Sequence, residues 1–178
     1  MKERPIVINL LGGPCTGKST LAADLFSTFK KIGIECELVM EYAKDKVWEE
    51  SYHTLDNQIY VFGKQLHRMW RLIGKVDVII TDSPLLLSIL YDKKKNKTFR
   101  KLVLEQYYQF KNITYFIERS FDYNENGRYQ NEDEAKKLDN ELLKLLETND
   151  VDFFFGKNDD ELRERIIENT LLTLEYTK

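Results

Sequence analysis

Gly12-Gly13-Pro14-Cys15-Thr16-Gly17-Lys18-Ser19 has the spacing G-x-x-x-x-G-K-[ST], the pattern of a loop that cradles phosphates. Glycines at both ends permit backbone angles that a Cβ hinders, so that amide N–H groups can converge on an anion. A helix beginning at the loop's end adds the positive end of its dipole. Gly13, Pro14, Cys15, Thr16, Gly17, Lys18, Ser19 and Thr20 are therefore expected to hold ATP. Lys18 is expected at the β- and γ-phosphates, and the Ser19 hydroxyl on Mg²⁺. Thr20 supports the loop or the α-phosphate.

Two carboxylates close apolar runs. Asp82 follows Val76–Thr81, and an acid at the carboxyl end of a strand near such a loop is placed to hold the metal, directly or through water. Ser83-Pro84 is also a good helix opening, which gives Asp82 a second, purely local use. Glu41 follows Glu35–Met40, on a strand expected to lie next to the phosphate-loop strand. It is positioned to orient or deprotonate an acceptor hydroxyl. Gln58 and Gln65 lie two turns apart at the edge of a helical apolar stripe, and their carboxamides match the edge of a base. Tyr42, Trp48 and Phe62 are suited to stacking, but at helical spacing they read as core. Arg119 and Arg128 sit in a polar segment, about residues 119–131, expected to act as a lid over the moving phosphoryl. The expected catalytic set is thus Lys18, Glu41, Asp82, Arg119 and Arg128, with Ser19 and Asp82 on the metal and Glu41, Gln58 and Gln65 on the acceptor.

These groups need a scaffold. Apolar runs at Ile6–Leu11, Glu35–Met40, Val76–Thr81, Ile113–Ile117 and Val151–Phe155 alternate with helical patterns. Lys18–Lys31 carries Leu21, Ala22, Leu25, Phe26 and Phe29 at helical spacing. Thr54–Ile73 places Ile59, Phe62, Leu66, Met69 and Ile73 on one stripe. Asn131 with Glu134, and Asn158 with Glu161, resemble capping boxes that start two further helices. Strand–helix alternation predicts an α/β fold, a doubly wound sheet of five parallel strands. The whole of 1–178 is expected to form a single kinase-like domain.

Composition narrows the function. With 42% hydrophobic and 32% charged residues the chain is neither disordered nor a membrane span. Two cysteines, no recognisable signal peptide and no long apolar run point to a cytoplasmic setting. A net charge of -3 gives no global attraction to nucleic acid. The run Lys93-Lys94-Lys95-Asn96-Lys97 with Arg100 and Lys101 is a local exception; it reads as a solvated loop or as a contact for DNA phosphates.

Together, Gly12–Thr20, Glu41-Tyr42-Ala43-Lys44, Gly63-Lys64-Gln65, Thr81-Asp82-Ser83-Pro84 and Gly127-Arg128-Tyr129-Gln130 resemble the nicotinamide riboside kinase-like P-loop family over roughly 6–146. The resemblance implies a nucleoside/nucleotide kinase fold, an ATP donor, Mg²⁺ and a small nucleoside-like acceptor. Lys44 stands where that family usually has arginine. Ser83 follows Asp82 where deoxynucleoside and thymidylate kinases usually carry arginine. The leading expectation is a small-molecule kinase that transfers the γ-phosphoryl of ATP to a hydroxyl or phosphate of a nucleoside or nucleotide-like acceptor. The alternatives are a kinase acting on a hydroxyl within DNA, on a modified base or a 5′ end, and a nucleotide-dependent ATPase or switch. A GTPase switch lacks its base-reading motif, since Asn96-Lys97-Thr98-Phe99 has no aspartate.

Overall fold

The computed structural model describes residues 4–118 and 132–175. In chain order the elements are β1 (Ile6–Leu11), α1 (Lys18–Lys31), β2 (Cys36–Val39), α2 (Tyr42–Trp48), α3 (Tyr52–Leu55), α4 (Gln58–Trp70), β3 (Val78–Thr81), α5 (Leu87–Tyr91), α6 (Lys97–Tyr107), β4 (Lys111–Glu118), α7 (Glu132–Thr148), β5 (Phe154–Lys157) and α8 (Asp160–Glu175). The five strands form one parallel sheet in the order β2-β3-β1-β4-β5.

β1 is central, and all six of its residues are buried. A strand covered on both faces reads as a continuous apolar run because each face meets a helical layer. On one face, Ile8 and Leu10 pack with Leu21, Leu25 and Phe29 of α1 and with Leu162 and Ile166 of α8. On the other, Val7 meets Phe62 and Met69 of α4 and Phe99 and Val103 of α6. Leu11 continues that layer against Leu142 and Leu146 of α7. Chain reversals on both sides of β1 leave the carboxyl ends of β1, β2 and β3 facing one crevice, the usual place for a ligand in such a sheet.

Several sequence expectations are corrected here. β2 is not the neighbour of β1; β3 lies between them, paired to β1 from Ile6–Val78 to Asn9–Thr81 and to β2 from Cys36–Val78 to Val39–Thr81. Asp82 is therefore closer in the sheet to the phosphate loop than Glu41 is. The helix expected over 54–73 is two helices. Asn57 interrupts it by accepting from the Tyr60 amide at 3.2 Å, a side-chain cap that starts α4. The buried face of α4 is then Val61, Phe62, Gln65 and Met69, while Ile59 is 63% exposed. The last strand begins later than expected, because the Val151 amide still bonds Leu146 O at 3.0 Å and Asp150 has φ 50°. This left-handed residue after α7 closes the helix and delays the strand. Asp159, not Asn158, caps α8, its Oδ1 accepting from the Leu162 amide at 2.9 Å. The cap expected at Asn131 lies outside the described residues. Among the described residues no helix is long and apolar enough to cross a membrane.

Phe29, fully buried between α1 and the sheet, tests this packing. Phe29→Ala should lower stability by about 3–5 kcal/mol in chemical denaturation, as large core truncations do. A loss below about 1 kcal/mol would place Phe29 outside the core.

Candidate active site

The phosphate loop is shaped by three residues with left-handed or otherwise positive φ. Gly12 has φ 144°, and a Cβ there would meet Ile117 O at 2.7 Å. Gly17 has φ 80°, and a Cβ would meet Asn158 Nδ2 at 2.1 Å. Cys15, at φ 65°, takes a conformation that disfavours a side chain. Glycine is needed at positions 12 and 17 because the loop is pressed against its neighbours on both sides. Thr16 Oγ1 donates to Gly13 O at 3.1 Å and Lys18 Nζ to the same oxygen at 2.6 Å. The Gly13 amide in turn donates to Asp139 Oδ1 at 2.6 Å. Gly17 precedes α1 and offers no capping side chain, which suits a helix start built to receive an anion.

Ser19 Oγ donates to Asp82 Oδ2 at 2.6 Å. Asp82 is 6% exposed, and its other oxygen, Oδ1, is buried with no hydrogen-bond partner. A buried carboxylate oxygen without a partner is costly and calls for a donor or a cation. An orphaned carboxylate oxygen beside a hydroxyl, at the head of a phosphate loop, fits the oxygen-donor chemistry of Mg²⁺. The strand end holding Asp82 is itself anchored: Thr81 Oγ1 donates to Val39 O at 2.8 Å and accepts from the Ser83 amide at 3.1 Å.

Glu41 is partly buried at the head of α2. Burial, and then the Asp82 charge, push its carboxyl above the ordinary 4.5, with Lys18 and Lys44 pulling it partly back. Tyr91 stands near enough for the Glu41 charge to add to burial in pushing its phenol up to about 12. Glu41, Lys44, Trp48, Leu87 and Tyr91 line two spaces at once. One is the cleft over Gly12–Thr20 and Asp82, about 620 Å³. The other is a largely apolar cavity of about 500 Å³ that continues past Ala43, Val47, Val61 and Pro84. The structure thus joins a phosphate cleft to a ring-sized apolar cavity through a wall that carries an acid.

The structure brings together Lys18, Ser19, Asp82 and Glu41, and places both glutamines on the wall of the apolar cavity. Gln58 lines the cavity, its Nε2 donating to Leu55 O at 2.7 Å. Gln65 touches the cavity wall, but its carboxamide is engaged by backbone: Oε1 accepts from the Tyr42 amide at 2.9 Å, and Nε2 donates to Ser83 O at 3.2 Å and Met40 O at 3.4 Å. Its carboxamide therefore ties α2, α4 and the Asp82 strand end together from a position on the cavity wall. Arg119, Arg128 and the expected lid at 119–131 lie outside the described residues. Sequence reasoning missed Asn158, whose Nδ2 donates to Gly17 O at 3.2 Å, and Asp139 on the Gly13 amide. Neither carries a local signal, because both reach the loop from elements far along the chain. Trp48, read as core, is 80% exposed at the shared wall.

A family model described as an AAA domain matches residues 7–163. The chain belongs to this family. No curated protein matches this AAA-domain chain in sequence. Among solved structures it is similar to the NadR protein in complex with NR, with a TM-score of 0.71 and 16% identity. That match covers 93% of this chain and 52% of the other, so the chain spans about half the length of that protein. A thymidylate kinase from Ehrlichia chaffeensis superposes with a TM-score of 0.65 at 11% identity, over 93% of this chain and 98% of that one. A deoxyadenosine kinase from M. mycoides with bound dATP follows at 0.52 and 19%, over 93% and 98%. At these identities the likeness is one of fold alone, a five-stranded parallel sheet flanked by helices.

The raised Glu41 carboxyl has a measurable sign. Between 4.5 and its higher folded value, the native state holds a proton that the unfolded state has lost, so stability falls as pH rises through that window. Above it, the ionised carboxylate opposes folding. Glu41→Gln should therefore melt at a higher temperature than the parent at neutral pH in ligand-free protein, with the difference shrinking toward pH ~4. A lower melting temperature at neutral pH would contradict the burial and charge assigned to Glu41.

Proposed function

We propose that this AAA-domain protein is an ATP- and Mg²⁺-dependent kinase that transfers the γ-phosphoryl of ATP to a hydroxyl of a nucleoside-like acceptor. The observation that carries this reading is the shared wall, where Glu41 faces both the phosphate cleft and the apolar cavity. In this reading the chain acts as one kinase domain in a cytoplasmic setting, and its acceptor class is that of the nicotinamide riboside kinase-like family it resembles.

The residues divide the work. The loop amides and the start of α1 hold the β- and γ-phosphates, and Lys18 leaves Gly13 O to meet the γ-phosphoryl. Ser19 and Asp82 hold Mg²⁺, which neutralises charge on the phosphate oxygens when bound. The apolar cavity holds the acceptor's ring, with Gln58 at its edge. Glu41 orients the acceptor hydroxyl and takes its proton as the oxygen bonds to the γ-phosphorus and the bond to the departing ADP oxygen breaks. Its raised affinity for a proton suits a base, because a carboxylate nearer neutrality drives the transfer better. Arg119 and Arg128 are proposed to close over the phosphoryl as charge develops on it.

The test pairs γ-³²P-labelled ATP with a panel of nucleosides, including nicotinamide riboside, for three proteins. The parent should label an acceptor. Lys18→Ala should label none. Glu41→Gln should bind ATP as the parent does in calorimetry yet transfer roughly 10²–10⁴-fold more slowly, the usual worth of a positioned acid or base. Loss of ATP binding in Glu41→Gln would move Glu41 to the donor side. Label released only as free phosphate would favour an ATPase or switch.

A further inference from the structure

The basic run starts two residues after Tyr91, which lines the apolar cavity. Leu55 and Gln58 line the apolar cavity from one side and Tyr91 from the other. Asp56, beside the first two, and Lys93, two residues after Tyr91, join across the gap at 2.7 Å. Both partners are mostly solvent-exposed, 66% and 85%, so this bridge is a weak contact that a ligand can displace. Lys93, and the turn that follows it, therefore begin beside the cavity lining rather than on a remote surface.

The turn carrying these lysines is held in shape. The Asp92 carboxylate accepts from the Lys94 amide at 3.1 Å and the Asn96 amide at 2.7 Å. Asn96 Oδ1 then caps α6, accepting from Thr98 and Phe99. The one acid of the turn is thus directed onto backbone. Lys94, Lys95 and Lys97 are exposed and form no ion pair with any described residue. On the wall that the same cavity shares with the phosphate cleft, Trp48 presents an indole that is 80% exposed. An exposed aromatic platform and a basic track flanking one apolar cavity are the two parts by which proteins hold single-stranded nucleic acid: rings stack and phosphates follow the cations. A free nucleoside, which has no phosphate, would use only the cavity.

We infer that the acceptor is the terminal nucleoside unit of a single-stranded oligonucleotide, with its ring in the cavity and the following phosphates on Lys94, Lys95 and Lys97. This rests on the kinase reading above and narrows its acceptor. The step is unchanged: a hydroxyl of the end unit gains the γ-phosphoryl of ATP, ADP leaves, and the hydroxyl proton passes through Glu41 to solvent.

The test supplies γ-³²P-labelled ATP with a short single-stranded oligodeoxynucleotide bearing a free 5′-hydroxyl, the same sequence in RNA, and the matching free nucleosides. The parent is compared with K94E/K95E/K97E, whose folding is checked by its melting curve. The oligonucleotide should exceed the free nucleosides in kcat/KM by at least about tenfold at low salt, and that ratio should collapse in the triple variant. Binding of the labelled strand should weaken with salt, and the slope should be shallower by about 2 in the variant, at ~0.7 per single-strand phosphate contact. The DNA and RNA arms identify the sugar. Equal use of free nucleosides, or a ratio the triple variant preserves, overturns the inference and leaves the kinase reading standing. No label in any acceptor overturns both.

Discussion

Ser19 Oγ meets Asp82 Oδ2 at 2.6 Å because β3 lies directly beside β1 and ends at Thr81, level with Asn9 near the carboxyl end of β1. The register from Ile6–Val78 to Asn9–Thr81 delivers the phosphate loop and the acid to one edge of the sheet. Burying Asp82 there leaves one carboxylate oxygen without a partner, an arrangement that protein interiors tolerate where a ligand completes it. The rest of the site is arranged around that oxygen. Gly12 and Gly17 let the loop pass close to Ile117 and Asn158, and the two helical layers keep β1 rigid beneath it.

The acceptor side hangs from the same strand end. Gln65 bonds the Tyr42 amide and Ser83 O, so that the start of α2, just after Glu41, is tied to the turn after Asp82. Arg68 reinforces this by donating to Met40 O at 3.1 Å and pairing with Asp45. Glu41 is thereby held near Asp82 in a partly buried setting, which raises its affinity for a proton. The same desolvation makes the ionised acid unfavourable for folding, a local sacrifice of stability at the position proposed to take the acceptor's proton.

Much of this was legible in the sequence where the signal was local. The phosphate loop, the run Ile6–Leu11, and α1 from Lys18 to Lys31 follow from glycine spacing and apolar periodicity. What the sequence could not show was set by pairing across the chain. The strand order was hidden, because every strand is a similar apolar run, and so Glu41 was expected one strand too close to the loop. That the Gln65 amide satisfies three backbone groups was also hidden, since such an amide has the same spacing as one that reads a base. Ile59 matched the helical stripe, yet the Asn57 cap starts α4 so that Val61 takes the buried face. Asn158 and Asp139 support the loop over sequence separations of 141 and 126 residues, beyond any local pattern.

The central claim is that Ser19 and Asp82 form a metal site completed by nucleotide. Electron paramagnetic resonance of Mn²⁺, an oxygen-seeking stand-in for Mg²⁺, tests it directly by counting bound ions with and without ATP. The account predicts one tightly held ion per chain only when ATP is present, with affinity falling at least about tenfold in both Ser19→Ala and Asp82→Asn, as loss of a ligand or its partner does. Unchanged Mn²⁺ binding in Asp82→Asn would contradict it and leave the buried carboxylate without a function.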